Sequence, residues 1–204
     1  MNTNSVLCRF LADHPHNWQA LLEADFGIRI KFHAPYAIFN YSHTSNFADP
    51  IVQEARGIIL DTETLDVVCW PFRKFGNHTE SYADPIDWSS ARVLEKVDGS
   101  IIKLWYDSRK PGWQFSTNAT VRAESASVES FSELSFHDLI CRAENYGDIP
   151  FDVLDRDMTY IFELVSPSTQ VVVPYDRTML YHLGTRSNLT GRELDVDIGI
   201  CKPK

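Results

Sequence analysis

Runs of alternating or continuous apolar residues recur along this chain at the spacing of hairpins, not at the spacing of β-α-β units. Several polar connectors between them are only a few residues long, as expected for antiparallel neighbours. We therefore predict an α+β fold with largely antiparallel sheets and flanking helices. The predicted strands cover residues 28–32, 36–41, 55–61, 65–70, 113–117, 160–165, 170–175 and 179–184.

Helical periodicity is confined to a few segments of the chain. Residues 13–26 carry one apolar face, with Asp13 placed to cap the helix and Gly27 placed to end it. Residues 124–147 have apolar positions at helical spacing and are predicted to be mainly helical. A short helical turn is predicted over residues 50–55. These helices would flank the sheets.

Composition narrows the class of protein. The chain has 204 residues, of which 44% are hydrophobic and 12% aromatic, and this is typical of one globular domain. It has no apolar run approaching the length of a membrane span and no basic, apolar leader, so we expect a cytoplasmic protein without a membrane partner. The four cysteines are widely scattered and form no zinc-type pair, so we expect free thiols.

The formal net charge of −9 argues against a broad nucleic-acid-binding surface, which is usually basic. A summed charge does not show where lysines and arginines converge. A local basic cleft is therefore still compatible with this sequence.

The stretch from Val93 to Ile102 has the strongest chemical signal. Apolar residues stand on both sides of Lys96-Val97-Asp98-Gly99, and this predicts two strands joined by a tight connection at Asp98-Gly99. The lysine would then lie at a strand end facing a cleft, where backbone amides can meet an anion. An ordinary hairpin turn with a solvated lysine is the alternative interpretation of the same residues.

Three further charged residues allow two interpretations each. Glu163 lies within an apolar run; if buried, it needs a partner, a metal or a ligand, and otherwise it points to solvent. Arg56 opens a predicted strand, and Lys74 follows a proline that breaks the strand pattern. Singly, Arg56 and Lys74 are also compatible with ordinary surface charges.

Taken together, four segments resemble a known family by their order and spacing. The segments are Ala55-Arg56-Gly57-Ile58-Ile59-Leu60, Arg73-Lys74-Phe75-Gly76-Asn77, Glu95-Lys96-Val97-Asp98-Gly99-Ser100 and Phe162-Glu163-Leu164-Val165-Ser166-Pro167. The chain resembles the ATP-dependent RNA ligases, in particular the phage-type RNA ligase 1 branch, from about Tyr36 to about Gly191. The resemblance implies a covalent nucleotidyltransferase fold, the ATP-grasp-like ligase adenylylation fold.

The resemblance also implies a reaction and its site. Lys96 would attack the α-phosphate of ATP and form a lysine–AMP intermediate; AMP would pass to a 5′-phosphate RNA end, and a 3′-hydroxyl would then displace it. Because a free lysine is mostly protonated at neutral pH, we expect desolvation and neighbouring cations to favour the neutral amine. Glu163 would also help to place Mg²⁺. The implied nucleotide contacts are Tyr41, Arg56, Lys74, Glu95, Asp98, Gly99, Asn118 and Glu163.

The sequence departs from the family pattern in two places. Asn118 stands where members often carry a basic residue, so a phosphate contact there would be weaker. The chain ends before two later motifs, an acidic metal-binding strand and a Lys-x-Lys strand that contacts the phosphates of ATP. Lys202-Pro203-Lys204 has a similar composition, but its proline and position predict a tail. Residues 1–204 are therefore predicted to be a single adenylyltransferase domain that is incomplete at its C-terminus.

Two alternatives stay open. The chain would be a non-catalytic protein that binds nucleotides or RNA ends, or one half of a split ligase whose second chain supplies the later motifs. Unpaired strand edges near residues 160–183 would fit the split ligase.

Overall fold

Two antiparallel sheets form the framework of the computed structural model, which describes residues 2–128, 131–169 and 172–204. The first sheet contains four strands in chain order, and each pairs with the next in antiparallel orientation. Its first and last connectors are short, as the hairpin spacing predicts, whereas residues 41–55 form a long connector between the second and third strands. The strands are β1 (Arg29–His33), β2 (Tyr36–Asn40), β3 (Arg56–Asp61) and β4 (Asp66–Cys69).

The second sheet has five strands in the order β11-β10-β9-β5-β6, again antiparallel. A separate two-stranded ribbon joins β7 to β8. The predicted α+β class with antiparallel sheets is therefore confirmed. The strands are β5 (Ser100–Asp107), β6 (Gly112–Thr117), β7 (Ser127–Val128), β8 (Phe131–Ser135), β9 (Met158–Val165), β10 (Met179–Ser187) and β11 (Glu193–Leu194).

The N-terminal helix differs from the prediction over 13–26. Two helices are present, α1 (Val6–Asp13) and α2 (Trp18–Phe26), so Asp13 ends the first and does not cap the second. Pro15 explains the break, because a proline continuing α1 would lose a hydrogen bond and clash with the preceding turn. Gly27 ends α2 in the left-handed conformation, with φ of 65°, as predicted.

The prediction of a mainly helical segment over 124–147 is wrong. The chain instead forms a 3₁₀ turn, the β7–β8 ribbon, the short helix α4 (Phe136–Cys141) and a second 3₁₀ turn. Ser135 and Asp138 form a capping box that starts α4 where the ribbon ends. The predicted turn at 50–55 is confirmed as α3 (Pro50–Glu54).

The strand predicted before Asp98-Gly99 is also absent: residues 93–99 lie outside any strand or helix, and Val93 is fully exposed. β5 already has β6 on one edge and β9 on the other, so no edge is left for a preceding strand. Of the strand predicted over 170–175, residues 170 and 171 lie outside the described residues, and 172–175 are not a strand.

The two sheets divide the apolar residues among three packed regions. Helices α1 and α2 cover one face of the first sheet, and α4 with the segments around it covers the outer face of the second sheet. The inner faces meet in a smaller core that includes Tyr36 and Trp105, whose rings lie 5.3 Å apart. Buried polar groups share this inner face: Lys103, Ser116, Thr159 and Glu163.

Residues 202–204 form no strand, as predicted for a tail, whereas residues just before them are packed. Ile198 and Ile200 are buried in the outer core, and the Cys201 carbonyl accepts a hydrogen bond of 2.8 Å from the His182 amide. Of the strand edges suggested near residues 160–183, those of β9 are both paired, because it lies between β5 and β10, whereas β10 pairs with β11 only at Thr185 and Arg186. Within the described ranges, no helix has the length and apolar character that crossing a membrane would need.

Candidate active site

The start of β5 lies against β9 at one end of the second sheet. The Gly99 amide donates a hydrogen bond of 3.0 Å to Oε1 of Glu163. A Cβ atom on residue 99 would lie 2.3 Å from the carbonyl oxygen of Leu164, so this approach requires glycine. The Asp-Gly pair of the sequence therefore marks a close backbone contact between strands and not a hairpin turn.

Asp98 fixes the segment that carries Lys96. Its Oδ2 accepts hydrogen bonds from the amides of Val172 at 2.6 Å and Val173 at 2.7 Å, and these donors lower the pKa of the carboxyl group. The Asp98 amide donates in turn to the hydroxyl of Tyr175 at 3.0 Å. Three contacts thus anchor the chain two residues after Lys96.

Glu163 is buried, with 8% of its surface exposed, so the solvent-pointing alternative is wrong. Burial raises the pKa of its carboxyl group. The Gly99 amide and the charges of Lys96 and Arg56 oppose that rise, whereas Asp98 adds to it. One buried carboxylate is therefore the common electrostatic neighbour of Lys96, Arg56 and Asp98.

Arg56 reaches this cleft from the first residue of β3. Its Nη1 donates to the carbonyl of Arg73 at 3.4 Å, and its guanidinium lies 5.2 Å from the centroid of the Phe75 ring. These contacts join Arg56 to the predicted segment 73–77. The guanidinium is held beside an aromatic ring with donors left to bind an anion.

Lys74 and Tyr41 belong to a neighbouring aromatic group. Nζ of Lys74 lies 5.3 Å from the Phe47 ring and 5.9 Å from the Tyr82 ring, and it donates to the Phe75 carbonyl at 2.7 Å. Tyr41 contacts Phe47 edge to face at 5.1 Å. Aromatic faces beside a cation can receive a planar base and a phosphate together.

Sequence reasoning missed Lys103. This β5 lysine is completely buried between the sheets, and its Nζ donates to the Gly57 carbonyl at 2.5 Å. Burial lowers the pKa of Lys103 to about 8. The available signal was a lysine at strand alternation with Ile101 and Trp105, on the face that also carries Glu163 in β9.

Asn118 lies close to Lys103, through Gly57. Gly57 has φ of 82°, and a Cβ atom there would lie 2.6 Å from Oδ1 of Asn118 and 3.0 Å from Nζ of Lys103. Asn118 itself is exposed at the end of β6. The residue predicted to be a weak phosphate contact is therefore at the edge of the same cleft.

Two of the predicted site residues, Lys96 and Glu95, have exposed side chains. Lys96 is exposed and lies outside any strand or helix, so the chain alone does not supply the desolvation expected for a nucleophilic lysine. Glu95 is also exposed, and its amide donates to the Lys204 carbonyl at 2.6 Å.

Among the described residues, no three side chains of histidine, cysteine, aspartate or glutamate are grouped to hold a metal ion. All four cysteines are free, as expected.

Comparison with known proteins identifies the class. A family model described as RNA ligase, of the T4 ligase 1 type, matches residues 54–197. The chain therefore belongs to the phage-type RNA ligase 1 family, and the resemblance found in the motifs is confirmed.

Relatives with this name occur in a virus, a bacterium and a phage. The chain is 29% identical over 188 residues to a protein of Autographa californica nuclear polyhedrosis virus named as a bifunctional polynucleotide kinase/RNA ligase, covering 81% of the chain and 26% of the relative. It is 27% identical over 167 residues to a protein of Thermovibrio ammonificans named as an RNA ligase, covering 76% and 40%. It is 27% identical over 192 residues to an RNA ligase of Rhodothermus phage RM378, covering 79% and 43%. The chain thus spans less than half the length of each.

Proposed function

We propose that this chain carries the nucleotidyltransferase part of an ATP-dependent RNA ligase, with the covalent nucleotidyltransferase fold and Lys96 as the nucleophile. The observation that carries the proposal is the convergence on Glu163. Lys96, Arg56 and Asp98 all act electrostatically on this buried carboxylate, and the Gly99 amide binds it directly. Perturbed titratable groups in a cleft are typical of functional sites.

In the proposed first step, the Nζ of Lys96 attacks the α-phosphorus of ATP. The new N–P bond forms as the bond to the bridging oxygen breaks, pyrophosphate leaves, and the amine loses its proton to solvent or to a nearby base. Asp98 and Gly99 hold the segment of Lys96 in place through the contacts described above. Bound nucleotide would supply the desolvation that exposed Lys96 lacks.

The remaining side chains are assigned to binding. Arg56 and Lys74 offset the negative charge of the phosphates, and Tyr41 with its aromatic neighbours receives the base. Asn118 adds a hydrogen bond at the cleft edge. We assign Glu95 a role in setting the course of the segment before Lys96, because its amide is bound to Lys204.

The donor chemistry of the site fits Mg²⁺. Mg²⁺ in nucleotide-processing enzymes is held by one or two carboxylates, waters and substrate phosphates, so a dedicated cluster of three ligands is not required. Glu163, with Asp98 beside it, provides carboxylate oxygens. When bound, the ion would neutralise charge on the phosphates.

In the later steps, AMP passes from Lys96 to a 5′-phosphate RNA end, and an RNA 3′-hydroxyl then attacks this end and releases AMP. We propose RNA with such ends as the substrate of the complete ligase.

The test is incubation with α-labelled ATP and Mg²⁺, followed by a denaturing gel and peptide mapping. We expect a covalent label on Lys96 that Lys96→Ala abolishes and Lys110→Ala, a matched exposed lysine, retains. Label that persists in Lys96→Ala would contradict the assignment.

A second candidate follows from the exposure of Lys96: a chain that binds nucleotides or RNA ends without catalysis, or one half of a split ligase completed by a second chain. ATP binding in calorimetry without covalent label would select the non-catalytic protein. Label that appears only with a partner chain present would select the split ligase.

A further inference from the structure

A row of basic side chains lies along the open edge of the first sheet. β1 carries Arg29, Lys31 and His33 at alternating positions, and all three are exposed. Ile30 and Phe32 alternate with them and face helix α2, where the Phe32 ring lies 6.2 Å from Trp18. The basic residues therefore occupy the opposite face, the face that the first sheet turns toward the second sheet.

The pairing register connects this row to the candidate active site. Arg29 is paired with Asn40, and Asn40 is paired with Arg56. Residues directly opposite in an antiparallel pair lie side by side, so Arg29, Asn40 and Arg56 follow one line across β1, β2 and β3, with a β-bulge at Gly57 between Arg56 and Ile58. Arg56 is, with Lys96, one of the two cations that act on Glu163. The basic row thus begins at the cleft and continues along β1.

The second sheet leaves the row uncovered. β4 packs over β5 and β9, and Tyr36 of β2 packs on Trp105 of β5. β1 is one strand further out than β2, at the open edge of the first sheet. Alternate residues of a strand are roughly 7 Å apart, so the row presents regularly spaced cations to solvent.

The charges are available for a ligand. In the part of the chain that the structure describes, no carboxylate lies within 4.0 Å of a charged nitrogen of Arg29 or Lys31. A single lysine on an edge strand is commonly explained as protection against strand pairing. Protection against strand pairing would explain Lys31. It would not explain why the polar and basic line continues across the sheet through Asn40 to Arg56. On a chain of net charge −9, such a row is a local exception.

We propose that Arg29 and Lys31, with His33 beyond them, bind the phosphate backbone of a single RNA strand and lead its end to the Lys96 cleft. This inference rests on the proposed function for the identity of the strand as RNA. The chemistry is that of sequence-independent binding, in which each cation neutralises one phosphate and releases counterions.

The test measures the affinity of the chain for a short 5′-phosphorylated single-stranded RNA by fluorescence anisotropy between about 50 and 200 mM salt. We expect the double variant Arg29→Gln/Lys31→Gln to lower the slope of log K against log salt by about 1.4, because each single-strand phosphate contact contributes about 0.7. Arg29→Lys should retain the slope, since the charge is kept.

The matched control is Arg142→Gln/Arg192→Gln, which removes two exposed charges from the C-terminal end of α4 and from the segment before β11, both outside the first sheet. We expect an unchanged slope. An equal loss in this control, equal slopes in all variants, or no binding by the unaltered chain would overturn the inference.

The outcome is separable from that of the proposed function. Arg29→Gln/Lys31→Gln should still acquire covalent AMP on Lys96. If the unaltered chain acquired no covalent AMP, the proposed function would be refuted. The double variant and the unaltered chain could still differ in the salt dependence of RNA binding, because RNA binding by β1 does not need adenylylation.

Discussion

The two faces of the second sheet differ in what they bury. The outer face is a continuous apolar core in which Phe162 and Leu164 of β9 are fully buried. The inner face, built from the alternating residues of the same strands, buries Glu163 and Lys103. Because strand alternation separates the two sets, one strand can supply stability on one face and chemistry on the other.

The two faces also differ in their response to pH. Lys103 on the inner face is the buried cation whose pKa falls to about 8. His182 on the outer face packs 5.5 Å from the Phe162 ring, and burial lowers its pKa to about 4. Protonating either buried group destabilises the folded chain relative to the unfolded chain. The effect falls between about pH 8 and 10.5 for Lys103 and between about pH 4 and 6.5 for His182. Variants can therefore test the faces separately.

The largest expected effect is on the outer face. Phe162→Ala should lower the free energy of unfolding by about 3–5 kcal/mol, because it removes a fully buried ring and leaves a cavity. Its neighbour Glu163→Gln should change stability by less than about 1 kcal/mol, since the amide oxygen can still accept from Gly99, yet it should reduce labelling of Lys96. Urea unfolding would measure the stability of the two variants, and the label assay would measure adenylylation of Lys96. Similar losses of stability in Phe162→Ala and Glu163→Gln would contradict the difference between the two faces.

Gly99→Ala should come next, with a loss of about 1–3 kcal/mol, because the new methyl group would collide with the Leu164 carbonyl. Labelling of Lys96 should fall with it, since β5 must shift away from β9. Gly147→Ala is the control, as its Cβ atom would meet nothing within 4 Å. Unfolding curves in urea decide the result, and equal stability of the two variants would show that the contact at residue 99 is not close.

Lys103→Met tests the buried cation through pH. The unfolded lysine has a pKa of 10.5 and the folded one about 8, so unfolding takes up a proton between these values and stability rises with pH in that window. The unaltered chain should gain about 2 kcal/mol relative to Lys103→Met between about pH 7.5 and 9.5. Arg56 adds to the lowering of the Lys103 pKa, while buried Cys69, whose own pKa is raised, opposes it.

Urea unfolding at the two pH values would measure the difference. Lys110→Met, on an exposed lysine, should behave like the unaltered chain. A parallel pH dependence in the unaltered chain and Lys103→Met would mean that Lys103 is not titrating as a buried group.

His182→Gln should give an effect of similar or smaller size at acid pH. The unfolded histidine has a pKa of 6.5 and the folded one about 4, so the unfolded chain binds the proton first and stability falls as pH drops through this range. The unaltered chain should lose about 2 kcal/mol relative to His182→Gln between about pH 7 and 5. His16→Gln, on an exposed histidine, is the control; identical acid curves for His182→Gln and the unaltered chain would contradict burial of a neutral imidazole.

Predictions from sequence were accurate where the pattern is local. The first-sheet strands, β6, β9 and the turn at Gly27 follow from alternation and from glycine's freedom at positive φ. They failed over 93–99 and 124–147, where apolar residues suggested strand and helix. Over 93–99 no strand forms because both edges of β5 are already occupied, and over 124–147 the chain pairs as the β7–β8 ribbon before the short helix α4.

The site shows the same division between the sequence and the fold. Lys96, Asp98, Gly99 and Glu163 could be selected from their motifs, but their roles as site residues stay predictions. The sequence by itself determined the antiparallel class, the candidate nucleophile and the family, because these depend on residue type and spacing along the chain. Only the tertiary structure decided that Glu163 is buried, that Lys103 lies beside Gly57, and that Arg29 is in line with Arg56. Burial and register depend on which strands pair and which faces meet, and these contacts join residues far apart in the chain.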